Sequence, residues 1–242
     1  MANWKLPYFE ASEQKPFLFY VAFGDGDLVE KAQEWSGALH EGLELSAMES
    51  DAFLSGAPWE MLNIQQPGLA RMIGPTSRAV VVRGEISGHR SLDYLRDVVE
   101  LLSHLVENGA HGVYDPFSHA WYNADTWESL AVHGGIFNPF DHIALQASPE
   151  EGGTTWLRTR GLRKFGRPDL SVRGVATEEI EAVKKMLDRF INHQALGGLV
   201  EAGREVSMQG LARRYRPGRP QGSVDDPDFV NLYIEFSPLP PT

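Results

Sequence analysis

The chain has 242 residues, a formal net charge of −11 and no cysteine, which excludes disulfide frameworks, thiolate metal sites and cysteine nucleophiles while leaving enough chain for one substantial core or two smaller ones. No stretch reaches the roughly 18 uninterrupted apolar residues of a spanning helix, and the opening residues 1–7 lack the basic-then-apolar pattern of a secretory signal, so a soluble, cytoplasmic protein without a membrane partner is expected. The net charge argues against nucleic acid as a partner, but it is unevenly placed: residues 1–150 hold 8 basic and 21 acidic side chains, residues 151–242 hold 14 and 12.

The first strand is expected over Pro16–Phe23, an apolar and aromatic run stopped by Gly24-Asp25-Gly26-Asp27. Leu28, Ala32, Trp35 and Leu39 recur at helical spacing behind an Asp cap, so a helix follows. Residues 43–77 read as short helices and loops, with Pro58 as a first-turn residue and breakers at Pro67-Gly68 and Gly74-Pro75. Ala79–Ile86 is a β-branched run suited to a central strand. Ser91 can cap the clearest helix, whose stripe runs Leu92, Leu95, Val98, Leu102 and Leu105, and Gly109 can close it in the left-handed conformation. Gly112–Asp115 returns as a strand, completing a βαβ unit.

Asp125 and Glu128 have the spacing of a capping box for a short helix that Gly134-Gly135 ends. Thr154–Leu162 and Leu170–Val175 read as strands around a turn at 165–169. A second strong helix starts at Thr177, with Glu178, Glu179 and Glu181 suiting its dipole, and ends at Gly197-Gly198. Two last strands are placed near 205–215 and 229–236, with a tail after Pro238. The expected class is α+β or α/β, with mixed sheets packed by roughly three to five helices. The chain divides into an acidic α/β half, 1–150, and an arginine-rich β-β-α-β-β half, 151–242; a single compact domain and two similar halves are both compatible with the pattern.

Two clusters could carry chemistry. His111, Asp115 and His119 follow one another at spacings of four, with His133, Asp141 and His142 beyond, and imidazole with carboxylate is the donor set for zinc, manganese or iron when thiolates are absent. Tyr114 sits among them as a candidate catalytic group. Gly112 and Pro116 exclude a continuous helix, so His111 and Asp115 share a strand face with His119 beyond the turn. No H-E-x-x-H pattern is present, and the alternative reading is hydrogen-bonded strand-end histidines. The second cluster is basic: Arg158, Arg160, Arg163, Lys164, Arg167 and Arg173 lie within sixteen residues that contain one acid, Asp169. Strand alternation puts Arg158 and Arg160 on a face with Trp156. Guanidinium forks suit carboxylate or phosphate, and an indole nearby adds cation–π or stacking contact. Arginines paired with this chain's own carboxylates are the alternative.

The loop Gly24–Asp27 lacks the spacing of a dinucleotide or phosphate loop, and its two aspartates would repel phosphate, so it reads as a capped turn. No nucleophile elbow is present. The aromatics Tyr114, Phe117, Trp121, Tyr122 and Trp127 read as core or as a pocket lining.

The segment Thr159-Arg160-Gly161-Leu162-Arg163-Lys164-Phe165-Gly166-Arg167-Pro168-Asp169 resembles the threonine–x–glycine–hydrophobic–x–x–phenylalanine–glycine–x–proline–acidic signature of an uncharacterised bacterial domain-of-unknown-function family. Gly109–Tyr114 is similar to that family's alanine–x–glycine–valine–tyrosine segment, so the resemblance spans residues 79–236. It implies an α/β fold, supplies no catalytic residues, and associates the chain with bacterial accessory and toxin-neutralising interaction proteins. The function expected is therefore non-enzymatic binding of a protein partner or an anionic small molecule, through Arg158, Arg160, Arg163, Lys164, Arg167 and Trp156, with no cofactor. The alternative is a metal-assisted hydrolase using His111, Asp115 and His119 on an anionic substrate.

Overall fold

The apolar run near the N-terminus becomes β1, Phe17–Gly24, the middle strand of a five-stranded antiparallel sheet. A computed structural model describes residues 4–25, 27–35, 37, 39–132 and 137–240. Its fold is α+β, with six α-helices among the described residues packed against two sheets. The chain forms two compact units: Trp4 and Lys5 join Phe17–Phe137 in the first, and Leu6–Pro16 joins the segment from Asn138 onward in the second.

In the first unit the order is β2-β3-β1-β4-β5, where β2 is Leu43–Glu49, β3 Arg78–Glu85, β4 Ala110–Asp115 and β5 Ala120–Asn123. The β-branched run does become a central strand. The expected βαβ unit is corrected in detail: β3 and β4 each pair antiparallel with β1, so they run parallel to one another with β1 between them. Strand alternation then feeds two helical layers. Val21 and Phe23 face α2 (Gly56–Gln65) and α3 (Pro67–Ile73), packing with Leu62, Leu69, Ile73 and Trp121. Tyr20 points the other way, edge-on to Trp127 of α5 (Ala124–Val132), whose indole donates to Ser103 of α4 (Asp93–Glu107) at 3.1 Å.

Helix α4 buries Leu95, Val98, Leu102 and Leu105 as its stripe requires, and Gly109 after it has φ 105°. Ser91 Oγ accepts from the Asp93 backbone at 3.4 Å and donates to its carboxylate at 2.6 Å. Helix α1 is shorter than expected, Leu28–Glu34, and Asp27 pairs with Lys31 at 3.5 Å rather than capping it. Residues 43–49, expected among short helices and loops, form β2. The cap of α5 is Asn123, whose side-chain oxygen accepts from Thr126 at 2.8 Å; Asp125 lies inside the helix. His133 and Gly134-Gly135 lie outside the described residues.

The second unit holds a sheet of order β10-β11-β8-β7-β6, with β9 paired to β11. Its strands are β6 Ala144–Pro149, β7 Thr155–Arg160, β8 Asp169–Val175, β9 Tyr215–Pro217, β10 Gln221–Ser223 and β11 Asn231–Pro238. Strands β6, β7 and β8 pair antiparallel, whereas β8 and β11 are parallel and joined through α6, Ile180–Ala195. A 3₁₀ turn at Thr177–Glu179 precedes that helix. Val183, Leu187 and Ile191 of α6 are buried, and Phe190 lies 4.9 Å from Phe236 of β11. The strand expected over 205–215 is reduced to a bridge between Val206 and Tyr215 leading into β9.

Candidate functional site

Register assigns the two faces of the second sheet. Leu157 opposes Val172, and Leu170 opposes Ile234, on the side of α6. Arg158 opposes Ser171, which opposes Glu235; with Trp156, Arg173, Tyr233 and, on β6, Gln146 and Ser148, these make up the other face. That face is polar at its middle and aromatic at one end.

Trp156 is its anchor. The indole is only 7% exposed, its N–H donates to Ser171 Oγ at 2.8 Å, and Phe229 meets it edge-on at 5.8 Å. Two guanidinium groups lie against this one ring, Arg158 at 3.9 Å and Arg173 at 3.6 Å from its centroid. Such contacts hold the charged groups at a fixed position at about 0.5–1 kcal/mol each where exposed. Because the arginines and Phe229 already cover the indole, Trp156 positions cations instead of offering a free ring to a ligand, the cation–π member of the two contacts expected for it.

The two arginines differ. Arg173 is half exposed and pairs with Glu150 at 3.0 Å, and the second Glu150 oxygen accepts from Gly174 at 2.8 Å. Arg158 donates to Ser148 Oγ at 3.1 Å, while its Nε, shielded from solvent, has no acceptor among the described residues. Burial pushes the Arg158 pKa down, opposed by the Asp228 carboxylate and reinforced by Arg173. A guanidinium remains charged at neutral pH, so Arg158 is a cation held short of its donors' full complement. Glu235, two strands from Arg158, accepts from the Arg173 amide at 3.2 Å and has its pKa raised, chiefly by burial.

The remaining basic residues expected to bind a ligand are occupied. Arg167, 1% exposed, gives Nε to Gly198 O at 2.8 Å and its terminal nitrogens to the carbonyls of Gly166, Glu10 and Gly197. Arg160 is buried and donates to the carbonyls of Pro227 and Asp228; Arg163 donates to Val230 O at 3.0 Å. Lys164 is fully buried. Each donates to loop carbonyls or lies in the core, so of the basic residues expected to meet a ligand Arg158 alone keeps a shielded donor without an acceptor among the described residues, with Arg173 beside it on Trp156. Farther along the unit, Glu179 takes Arg213, and Glu205 takes both Arg214 and Arg216.

The resemblance motif has a structural account. Asp169, fully buried, accepts from Thr159 Oγ1 at 2.8 Å, the Leu162 amide at 3.3 Å and Asn231 Nδ2 at 2.7 Å. Thr159 Oγ1 in turn accepts from the Leu170 amide at 2.8 Å. Burial pushes the Asp169 pKa up to about 6 against the pull of those donors and of Arg160. Gly161 has φ 114°, and a Cβ there would come within 2.7 Å of His142 O.

In the first unit the candidate metal ligands are not brought together. His111 and Asp115 share a face of β4 but stand four residues, about 13 Å, apart along it, beyond the reach of one ion. His111 Nε2 meets Asp25 at 3.1 Å. Asp115, fully buried, accepts from the amides of Phe117 and Ser118 at 2.9 and 3.3 Å and from Ser118 Oγ at 2.7 Å. His119 is a turn residue with φ 59°, and Tyr114 stacks on Trp121 at 4.1 Å within the core. No group of three or more histidine or acidic side chains fit to hold a metal occurs among the described residues. His142 is buried, and burial, reinforced by Lys164, pushes its pKa down to about 3.

The residues missed in the sequence are Ser148 and Glu150, on and just beyond β6, and Glu235 on β11. Their signal was the alternation Gln146, Ser148, Glu150, obscured by the apolar content between. Among the described residues no helix is long and apolar enough to cross a membrane. No protein-family model, no curated protein and no solved structure matches this chain.

Proposed function

We propose that the chain is a binding protein that receives a carboxylate of an acidic partner segment on the Trp156 face of its second sheet. The observation that carries this reading is Arg158: its guanidinium is stacked on an indole, its Nε is shielded and has no acceptor among the described residues, and burial and Arg173 press its pKa down against the pull of the Asp228 carboxylate. A carboxylate against the solvent-facing side of the guanidinium would make charge-assisted hydrogen bonds and offset the repulsion between the two arginines. Ser148 fixes the other end of the fork, and Trp156 restricts its rotation, so little side-chain entropy remains to be lost on binding. An accessory role of the toxin-neutralising type, as the sequence resemblance implies, is compatible with such a surface. The hydrolase reading has no comparable observation behind it, because His111, Asp115 and His119 do not converge.

Calorimetric titration of the intact chain with a glutamate-rich peptide, and separately with inorganic phosphate, tests the proposal. Binding of the peptide is expected at low ionic strength, weakening with added salt and falling at least roughly tenfold in Arg158→Gln, the loss of one charge-assisted hydrogen bond. Absence of peptide binding at low salt, or equal affinity in Arg158→Gln, would refute it; phosphate binding alone would replace the protein partner with a small anion.

A further inference from the structure

Strand β6 is an open edge of the second sheet, and it differs from the other edges. β2 carries Glu44 and Glu49, β5 has four residues and β10 three, whereas β6 runs Ala144-Leu145-Gln146-Ala147-Ser148-Pro149 without a charged side chain. Charges, shortness and proline are the usual means of keeping an edge from pairing with another chain. On β6 only Pro149, at its end, serves that purpose.

The direction of its free backbone groups follows from the hairpin. The Glu150 amide donates to Thr154 O at 2.8 Å, and the β6–β7 register is regular from Ala144↔Arg160 to Pro149↔Thr155. In an antiparallel ladder hydrogen-bonded and non-hydrogen-bonded pairs alternate. Residues 148, 146 and 144 therefore point their backbone groups at β7, and Leu145 and Ala147 point theirs away from it. Among the described residues neither Leu145 nor Ala147 has a further backbone partner, and Ala147 is exposed.

The geometry points to β6 as a self-association edge whose occupant is β6 of a second copy of this chain, antiparallel about a two-fold axis at Gln146. In that register Leu145 of each copy opposes Ala147 of the other, and the outward N–H and C=O of both residues close reciprocal hydrogen-bonded pairs. Gln146 meets its own counterpart across the axis, and its amide is at once donor and acceptor. The segment brings no like charges together, although the chain as a whole is strongly acidic. An axis perpendicular to the sheet also puts both Trp156 faces on the same side of one continuous sheet. With strands about 4.8 Å apart, the two Arg158 positions would lie roughly 14 Å from one another. Self-association stands on the β6 edge alone and does not depend on the ligand proposed for Arg158; if that ligand reading also holds, the dimer is bivalent for it.

Sedimentation velocity of the intact chain, from roughly 1 µM to several hundred µM, reads the inference without any ligand. A concentration-dependent species of about twice the 26.9 kDa chain mass is expected. Ala147→Pro removes the outward N–H, and Ala147→Lys places a charge on the exposed edge; both leave the β6–β7 hydrogen bonds intact, and each is expected to abolish the dimer with an unchanged circular dichroism spectrum. Should Ala147→Pro fail to fold, Ala147→Lys reads the same edge. A monomer over the whole range, or a dimer that survives in the folded variants, overturns the inference.

Discussion

Buried Asp169 and buried His142 respond to acid in opposite directions. The Asp169 carboxyl, with an ordinary value of 3.8, is held near 6 in the fold by burial. Between those values the native state binds a proton that the unfolded chain has lost, so this residue's contribution is fully present below 3.8 and is lost as pH rises through about 6. His142, with an ordinary value of 6.5, stays neutral down to about 3. Between these the unfolded chain binds the extra proton, so its contribution is lost as pH falls. From about pH 4 to pH 6 the two slopes oppose, each at most about 1.4 kcal/mol per pH unit. In urea unfolding across that range, Asp169→Asn should make stability fall more steeply on acidification than in the parent chain, and His142→Gln should make it fall less steeply. Identical slopes in all three proteins would contradict the assignment. The motif around Asp169 was legible in the sequence as a turn between two strands, but the role of its buried aspartate was not, because the partners of a carboxylate cannot be read from spacing. The pairing of Thr159 and Asn231 with that one carboxylate is what ties the turn to β11.

Among the elements, strong periodicity was readable and weak periodicity was not. Helix α4 and strand β3 carry continuous apolar signals and lie where the pattern puts them. Strands β2 and β6 are edges, half covered and rich in Glu, Ser, Gln and Ala, and such strands lose the alternation that marks a buried face. The spacing of Asp125 and Glu128 suggested a cap that the backbone does not use, because the helix already begins at Ala124. Asn123 performs that role through the Thr126 amide. Asn123→Ala should therefore cost about 1 kcal/mol in thermal or chemical unfolding, with a much smaller loss for Asp125→Ala. The reverse order would return the cap to Asp125.

Across the whole molecule, the arginine-rich composition of residues 151–242 proved a poor measure of available positive charge. Charge counts do not distinguish a guanidinium that saturates carbonyls from one that awaits an anion, and Arg160, Arg163 and Arg167 are of the first kind. Several others pair with carboxylates of their own unit, as Arg213 does with Glu179 and Arg214 with Glu205. The candidate site thus narrows from a basic surface to the Arg158–Arg173 pair on Trp156, a reduction that required the strand register and was not available from spacing alone. The most direct measurement of this claim is nuclear magnetic resonance of the arginine Nε–Hε groups during titration with a glutamate-rich peptide. The Arg158 signal should shift progressively, with a smaller change at Arg173, while those of Arg160 and Arg167 stay in place. An unmoved Arg158 signal, or equal shifts at all four arginines, would contradict the account.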